Sequence, residues 1–165
     1  MLISIFNLQE RALITFIASF LIVFMVGGVL YLWLFRKKIH FSQVVLAFSA
    51  MLFAWLLTEL VKKFFPVSRP FMVNGQNPLT LTWPLDSSFP SDHASSAFAL
   101  WLSLRKADKR LFFLYFIFAV LVSMGRVLSH VHYFLDIFVG ALIGILTVIV
   151  LEKLGMEKFL KKILA

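Results

Sequence analysis

The strongest constraint on this chain is a series of long apolar runs, over residues 12–35, 41–61, 111–128 and 133–151, set apart by charged or turn-rich segments. About 20 apolar residues in a helix cross a hydrocarbon core of ~30 Å, and each run is close to that length. Lipid offers no partner to a free backbone N–H or C=O, so runs of this kind predict membrane-spanning helices. Hydrophobic residues make up 61% of the chain and charged residues 15%, against roughly 45–50% apolar in soluble domains. A weaker fifth segment covers residues 90–104 and opens on small residues, Ala94, Ser95, Ser96 and Ala97, that let helices approach closely. Its ~15 residues rise only ~23 Å, so its first turn is expected to begin below the membrane surface, inside the bundle. The predicted fold is therefore all-α: a polytopic membrane helical bundle of about five transmembrane helices, in one domain over residues 1–165. Gly140 and Gly144 form a GxxxG on the last span, a helix-packing signal.

Charge then orients the bundle. The net charge of +8 does not argue for nucleic acid, because the cations sit in short clusters between apolar runs. Arg36-Lys37-Lys38, the run from Arg105 to Arg110 and the cluster from Lys153 to Lys162 follow spans one, three and five. They share one face, which the positive-inside rule makes cytoplasmic, with the amino terminus outside. Residues 1–10 are expected to be a weakly amphipathic lead-in and the basic tail an interfacial helix. A cleaved signal peptide is not expected, because the run after Arg11 is too long and ends in Arg36-Lys37-Lys38. With no Cys, neither disulfides nor thiolate metal sites can form.

The opposite face collects the unusual residues. All five prolines lie in a loop over residues 64–89 and its exit at Pro90, and a loop of that length in a compact protein tends to be functional. The outer face carries Lys62 and Lys63, Arg69-Pro70, Pro90-Ser91-Asp92-His93, and Gly125-Arg126 through Asp136, with His130 and His132 between. Charged groups beside lipid-facing sequence are costly and usually kept for function. His132 and Asp136, four apart, share a helix face. A carboxylate holding one ring nitrogen leaves the other free to act as base or nucleophile.

These three clusters, taken in order, resemble the type 2 phosphatidic acid phosphatase family of membrane lipid phosphatases, whose pattern is KxxxxxxRP, PSGH and SRxxxxxHxxxD. The matching residues span 62–136, nearly half the chain. The resemblance implies the helical fold shared by these phosphatases and the vanadium haloperoxidases; haloperoxidases are soluble, which this composition excludes. It implies a clamp for substrate phosphate from Lys62, Arg69, Ser91 and Arg126, with His132 as nucleophile forming a phosphohistidine. Asp136 would fix the tautomer of His132, and His93 would protonate the leaving oxygen and then activate water. No cofactor and no metal are required. Asp92 replaces the Gly of PSGH, as in the bacterial branch acting on undecaprenyl pyrophosphate. Gly125 replaces the Ser before the third-motif Arg, and many relatives have six spans rather than five.

The expected activity is hydrolysis of undecaprenyl pyrophosphate to undecaprenyl phosphate and phosphate, in the bacterial cytoplasmic membrane with the site on the extracytoplasmic face. Phosphatidylglycerophosphate or phosphatidic acid are the rival substrates, and a catalytically silent lipid-binding or transport relative is the rival class. The partners expected are the lipid substrate and membrane lipids, with no nucleic acid. Lys62 is also placed to pair with Glu59, Lys63 to snorkel at a helix end. His130 is a secondary or substrate-side contact rather than a metal ligand. Asp92 either orients a clamp Arg or caps the third span.

Overall fold

The computed structural model describes residues 6–156, 159 and 162. Among the described residues six helices follow one another: α1 Leu8–Leu34, α2 Phe41–Phe64, α3 Pro70–Asn74, α4 Asp92–Ser103, α5 Lys109–Leu128 and α6 Phe134–Lys153. No strand occurs among the described residues. Five helices coincide with the five expected spans. Four of them, α1, α2, α5 and α6, are long and apolar enough to cross a membrane. α4, with 12 residues, rises only ~18 Å and is the inner helix around which the others pack, touching α2, α5, α6 and α1.

Helix ends follow local chemistry that the apolar runs did not reveal. α1 begins at Leu8 rather than at residue 12, because Asn7 and Glu10 form a capping box: Glu10 N–H donates to Asn7 Oδ1 at 2.9 Å and Asn7 N–H to Glu10 Oε2 at 2.8 Å. What reads as a lead-in is thus partly helix; residues 1–5, and residues 157, 158, 160, 161 and 163–165 of the expected basic tail, lie outside the described residues. α2 runs on through Lys62 and Lys63 and stops before Pro66. α3 is a helical turn inside the long loop, with Pro70 in its first turn and Gly75 closing it at φ 64°. Asp108 caps α5, accepting from Arg110 N–H at 2.8 Å.

Two contacts fix α4. Ser95 and Ser91 pack against α6 where Gly140 and Gly144 lie. A Cβ on Gly140 would sit 2.5 Å from the Ser91 carbonyl oxygen, and one on Gly144 would collide with the Ser95 carbonyl. The GxxxG is therefore used inside this chain, to bring α6 onto α4. On the other side Val44, Ala47, Ala97, Leu100, Ala119 and Val122 form a continuous buried cluster. α1 leans on α5, tied by Tyr115 Oη–H donating to the Met25 carbonyl at 2.9 Å, and meets α2 only sparsely.

Candidate active site

At one end of the bundle the long loop and the start of α4 meet the α5–α6 turn. That turn folds back over α5, so that the Arg126 carbonyl accepts from both Val131 N–H and His132 N–H at 3.3 Å. His130 makes the reversal possible with a left-handed φ of 60°, and its carbonyl accepts Phe71 N–H at 3.0 Å, anchoring the loop. The Asp136 carbonyl accepts Ser91 N–H at 3.0 Å, joining the first turns of α6 and α4. The result is a polar pocket of about 260 Å³ lined by Arg69, Asp86, Asp92, His93, Arg126 and His132, with Ser19, Phe20, Leu81, Thr82 and Pro84 completing its wall. Side chains as far apart in sequence as Ser19 and His132 meet in one cup.

His132 is 2% exposed. Its Nδ1 lies 2.8 Å from the Ser88 carbonyl oxygen and 3.4 Å from Asp136 Oδ2. A carbonyl only accepts, so Nδ1 carries the proton and Nε2 presents a lone pair toward the pocket, 3.3 Å from Arg69 Nη1. Burial pushes the ring down to about 4; the Asp136 hydrogen bond opposes this, while Arg126 and Arg69 add to it. The ring is neutral at pH 7. Asp136 supports it at longer range than the sequence suggests, because the same Oδ2 accepts Tyr133 N–H at 2.8 Å and begins α6. The closer partner of His132 is Ser88, whose backbone oxygen leaves no mark in a sequence.

The three cations differ in what they have left to give. Lys62 donates to Glu59 Oε1 at 3.0 Å, to Asp86 Oδ2 at 2.7 Å and to Asp92 Oδ2, which accounts for all three of its N–H groups. Arg69, also 2% exposed, donates through Nε to the Asp86 carbonyl at 3.0 Å, through Nη1 to Val131 O at 2.9 Å, and through Nη2 to Asp86 Oδ1 at 2.8 Å and Ser87 O at 3.2 Å. With the His132 contact, its five donors are all engaged. Arg126 is different. Among the described residues only the Ala18 carbonyl holds it, at 3.1 Å from Nη1, and its buried Nε finds no partner there. An unsatisfied guanidinium edge in a buried pocket is a costly feature unless an anion fills it.

Several sequence expectations are redistributed. Ser91 does not line the pocket; its hydroxyl caps α4, accepting Ala94 N–H at 3.5 Å. With Ser91 in that place, Asp92 does not cap the helix, and no Arg bonds to it among the described residues: it pairs with Lys62 and accepts Thr58 Oγ1–H at 2.6 Å. Lys62 stands one layer behind the pocket wall, pairing with Glu59 as expected, and Lys63 is exposed. The His130 side chain does not line the pocket. Gly125, which replaces a Ser in the resembling pattern, lies against α1: a Cβ there would come 2.8 Å from Ile17 Cγ2 and 3.1 Å from Ala18 N. That close approach brings the Ala18 carbonyl within reach of Arg126.

Sequence reasoning missed Asp86. It carries the single carboxylate of the loop between α2 and α4, and that was the available signal. Burial pushes its carboxyl up, but the Lys62 hydrogen bond, the Arg69 charge and their further contacts outweigh this and bring it down to about 2. Glu59, Asp86 and Asp92 bring carboxylate oxygens within 4.8 Å of one another. Lys62 Nζ bonds to all three, so the group holds an ammonium where a divalent ion would otherwise fit.

A second cavity borders the pocket. Ile22, Val23 and Val26 of α1 face Met51, Leu52 and Trp55 of α2 across an apolar cleft of about 530 Å³, which ends on Asp92, His93 and Ser96. Asp92 and His93 line both spaces. A polar cup for a headgroup thus adjoins an apolar slot for a hydrocarbon chain, along the seam where α1 and α2 barely touch.

Comparison with known proteins agrees with this architecture. A sequence model of the PAP2 superfamily matches residues 43–158. The chain is 29% identical over 132 residues to the "Bacitracin transport permease protein BcrC" of Bacillus licheniformis, covering 80% of this chain and 65% of that one; it thus spans just under two thirds of that relative's length. It is 34% identical over 146 residues to the "Putative undecaprenyl-diphosphatase YbjG" of Escherichia coli, covering 82% of this chain and 68% of that one. Among solved structures, Aquifex aeolicus LpxE superposes with a TM-score of 0.73 at 29% identity, covering 92% of this chain and 90% of that one.

Proposed function

From the premise that this chain belongs to the PAP2 superfamily, we propose that it is an integral membrane lipid phosphatase acting on undecaprenyl pyrophosphate, releasing undecaprenyl phosphate and inorganic phosphate. The observation that carries the reading is the junction of the polar pocket with the apolar cleft at Asp92 and His93. A lipid chain lying between α1 and α2 delivers its phosphate to Arg126 and His132. The YbjG relative carries the pyrophosphatase activity, provisionally, in its name, and this supports the substrate.

Chemistry follows from the donor geometry. The terminal phosphorus binds against the free edge of Arg126, and His132 Nε2 attacks in line. The P–O bond to the lipid phosphate breaks, and the leaving oxygen takes a proton from His93, which holds that proton only as the partner of the bound anionic substrate. Positive charge on the phosphorylated ring is shared with the Ser88 carbonyl and Asp136 through Nδ1–H. His93, now neutral, removes a proton from water; the oxygen attacks phosphorus, the P–N bond breaks and His132 returns to its starting state. We place the whole chain in one phosphatase domain of a bacterial cytoplasmic membrane, with the site on the extracytoplasmic face, on the strength of the cation clusters at the other end.

The test is phosphate release by detergent-purified protein in EDTA, with His132→Ala as the blank. Undecaprenyl pyrophosphate is expected to outpace phosphatidylglycerophosphate and phosphatidic acid. Preference for either glycerophospholipid would keep the mechanism and replace the substrate. Release from none of them would favour a silent lipid-binding relative, and activity that needs an added divalent ion would remove the metal-free scheme.

A further inference from the structure

The phosphate-binding cations of this site are already bound to an internal anion. Every donor of Lys62 and Arg69 has a protein acceptor, and one side chain is common to both sets: Asp86 takes Lys62 Nζ on Oδ2 and Arg69 Nη2 on Oδ1. The four charged side chains lining the pocket, Arg69, Arg126, Asp86 and Asp92, cancel in charge. Asp86 is also the most exposed of the three. Its carboxylate is 48% exposed while Lys62 and Arg69 are 5% and 2% exposed, and it belongs to a loop rather than a helix. Asp92, by contrast, is held by Thr58 and by the first turn of α4.

We infer that Asp86 is a specificity-determining residue: a resident carboxylate that occupies the cationic clamp and yields it only to a terminal phosphate more highly charged than itself. This rests on the proposed phosphatase reading and deepens it. The apolar cleft opens to a membrane full of phosphodiester headgroups, each with a single negative charge. Such a group gains nothing by replacing another single charge that is already two-fold bonded. A terminal phosphate or pyrophosphate carries more charge and more acceptor oxygens, so it can displace Asp86 and engage the freed donors of Lys62 and Arg69. The cost of displacement falls on every ligand alike, and the gain falls only on the multiply charged one.

The test is binding and competition rather than turnover alone. Asp86→Asn keeps the shape and the carbonyl acceptor for Arg69 but removes the charge. Inorganic phosphate, titrated by its stabilisation of purified protein against heat, is expected to bind Asp86→Asn about tenfold more tightly, because the competent clamp is no longer a minor state. The variant's KM for the lipid substrate should fall as well. Phosphatidylglycerol in the micelle should inhibit it where the parent protein resists. Asp86→Glu, which keeps the charge, should bind phosphate like the parent. Equal or weaker phosphate binding by Asp86→Asn would overturn the inference and make Asp86 a support for Arg69. Should Asp86→Asn fail to fold, Asp86→Ser enters the same titration with the same two outcomes. Because phosphate binding is read without substrate, a failure of the lipid assay alone would count against the phosphatase reading and not against the role of Asp86.

Discussion

The two ends of this bundle treat charge in opposite ways. At the end away from the pocket the connections are short, and Arg36, Lys37, Lys38, Lys109 and Arg110 are exposed. Arg105 and Lys106 reach Glu152 of α6 from partly exposed positions. At the pocket end the chain spends residues 65–91 on a loop, and the cations turn inward: Lys62, Arg69 and Arg126 are 6%, 2% and 6% exposed. The loop's outward side is apolar instead, with Val73, Leu81, Trp83 and Leu85 exposed. Exposed charges in a headgroup layer cost little and each contributes little. Buried ones require a full set of partners, and their removal leaves others unpaired. The difference teaches where a charge is structurally committed: one end can lose a charge quietly, the other cannot.

The sharpest way to break that comparison is at the pocket. His132→Ala should lower kcat by roughly a thousandfold or more in folded protein, since a lost nucleophile has no substitute nearby; substantial turnover in the variant would remove the phosphohistidine. Arg126→Ala deletes the pocket cation whose edge has no partner among the described residues, and kcat/KM should drop about a hundredfold, on the order of 3 kcal/mol of transition-state stabilisation. Steady-state kinetics in detergent would read both. Between the ends, Gly144→Ala forces a methyl against the Ser95 carbonyl and should destabilise the α4–α6 packing by about 1–3 kcal/mol, read as a lowered midpoint of thermal unfolding.

A smaller signature comes from titration. The His132 ring stays neutral until about pH 4 in the folded protein, whereas an unfolded histidine takes its proton near 6.5. Its folded value is depressed, so the stability held above pH 6.5 is eroded as pH falls from there toward 4. NMR of ring-labelled histidine should show one resonance titrating near 4, absent in His132→Asn; a ring titrating near 6.5 would contradict the buried site. The smallest effect is expected at the other end, where Lys37→Gln or Arg110→Gln should change phosphate release by less than about twofold. A large loss there would erase the contrast between the two ends.

The spans were legible because lipid imposes length and apolarity on each helix separately, with no help from tertiary contacts. Their limits were less so: the Asn7–Glu10 box that starts α1 is a local signal that hydropathy overrides. Arg69, Asp92, His93, Arg126 and His132 could be named from spacing, and they do converge on one pocket. Ser91 and His130 could be named too, yet one caps a helix and the other supplies a turn carbonyl. Residue type and order decide which chemistry is available, since they fix which side chains can donate, accept or attack. They do not decide which donors are spent. That Nδ1 of His132 leans on the Ser88 backbone, and that Arg69 has no donor to spare whereas Arg126 keeps an unpartnered edge among the described residues, follows from backbone oxygens and from a loop carboxylate. Those positions exist only once α4, α6 and the loop have packed.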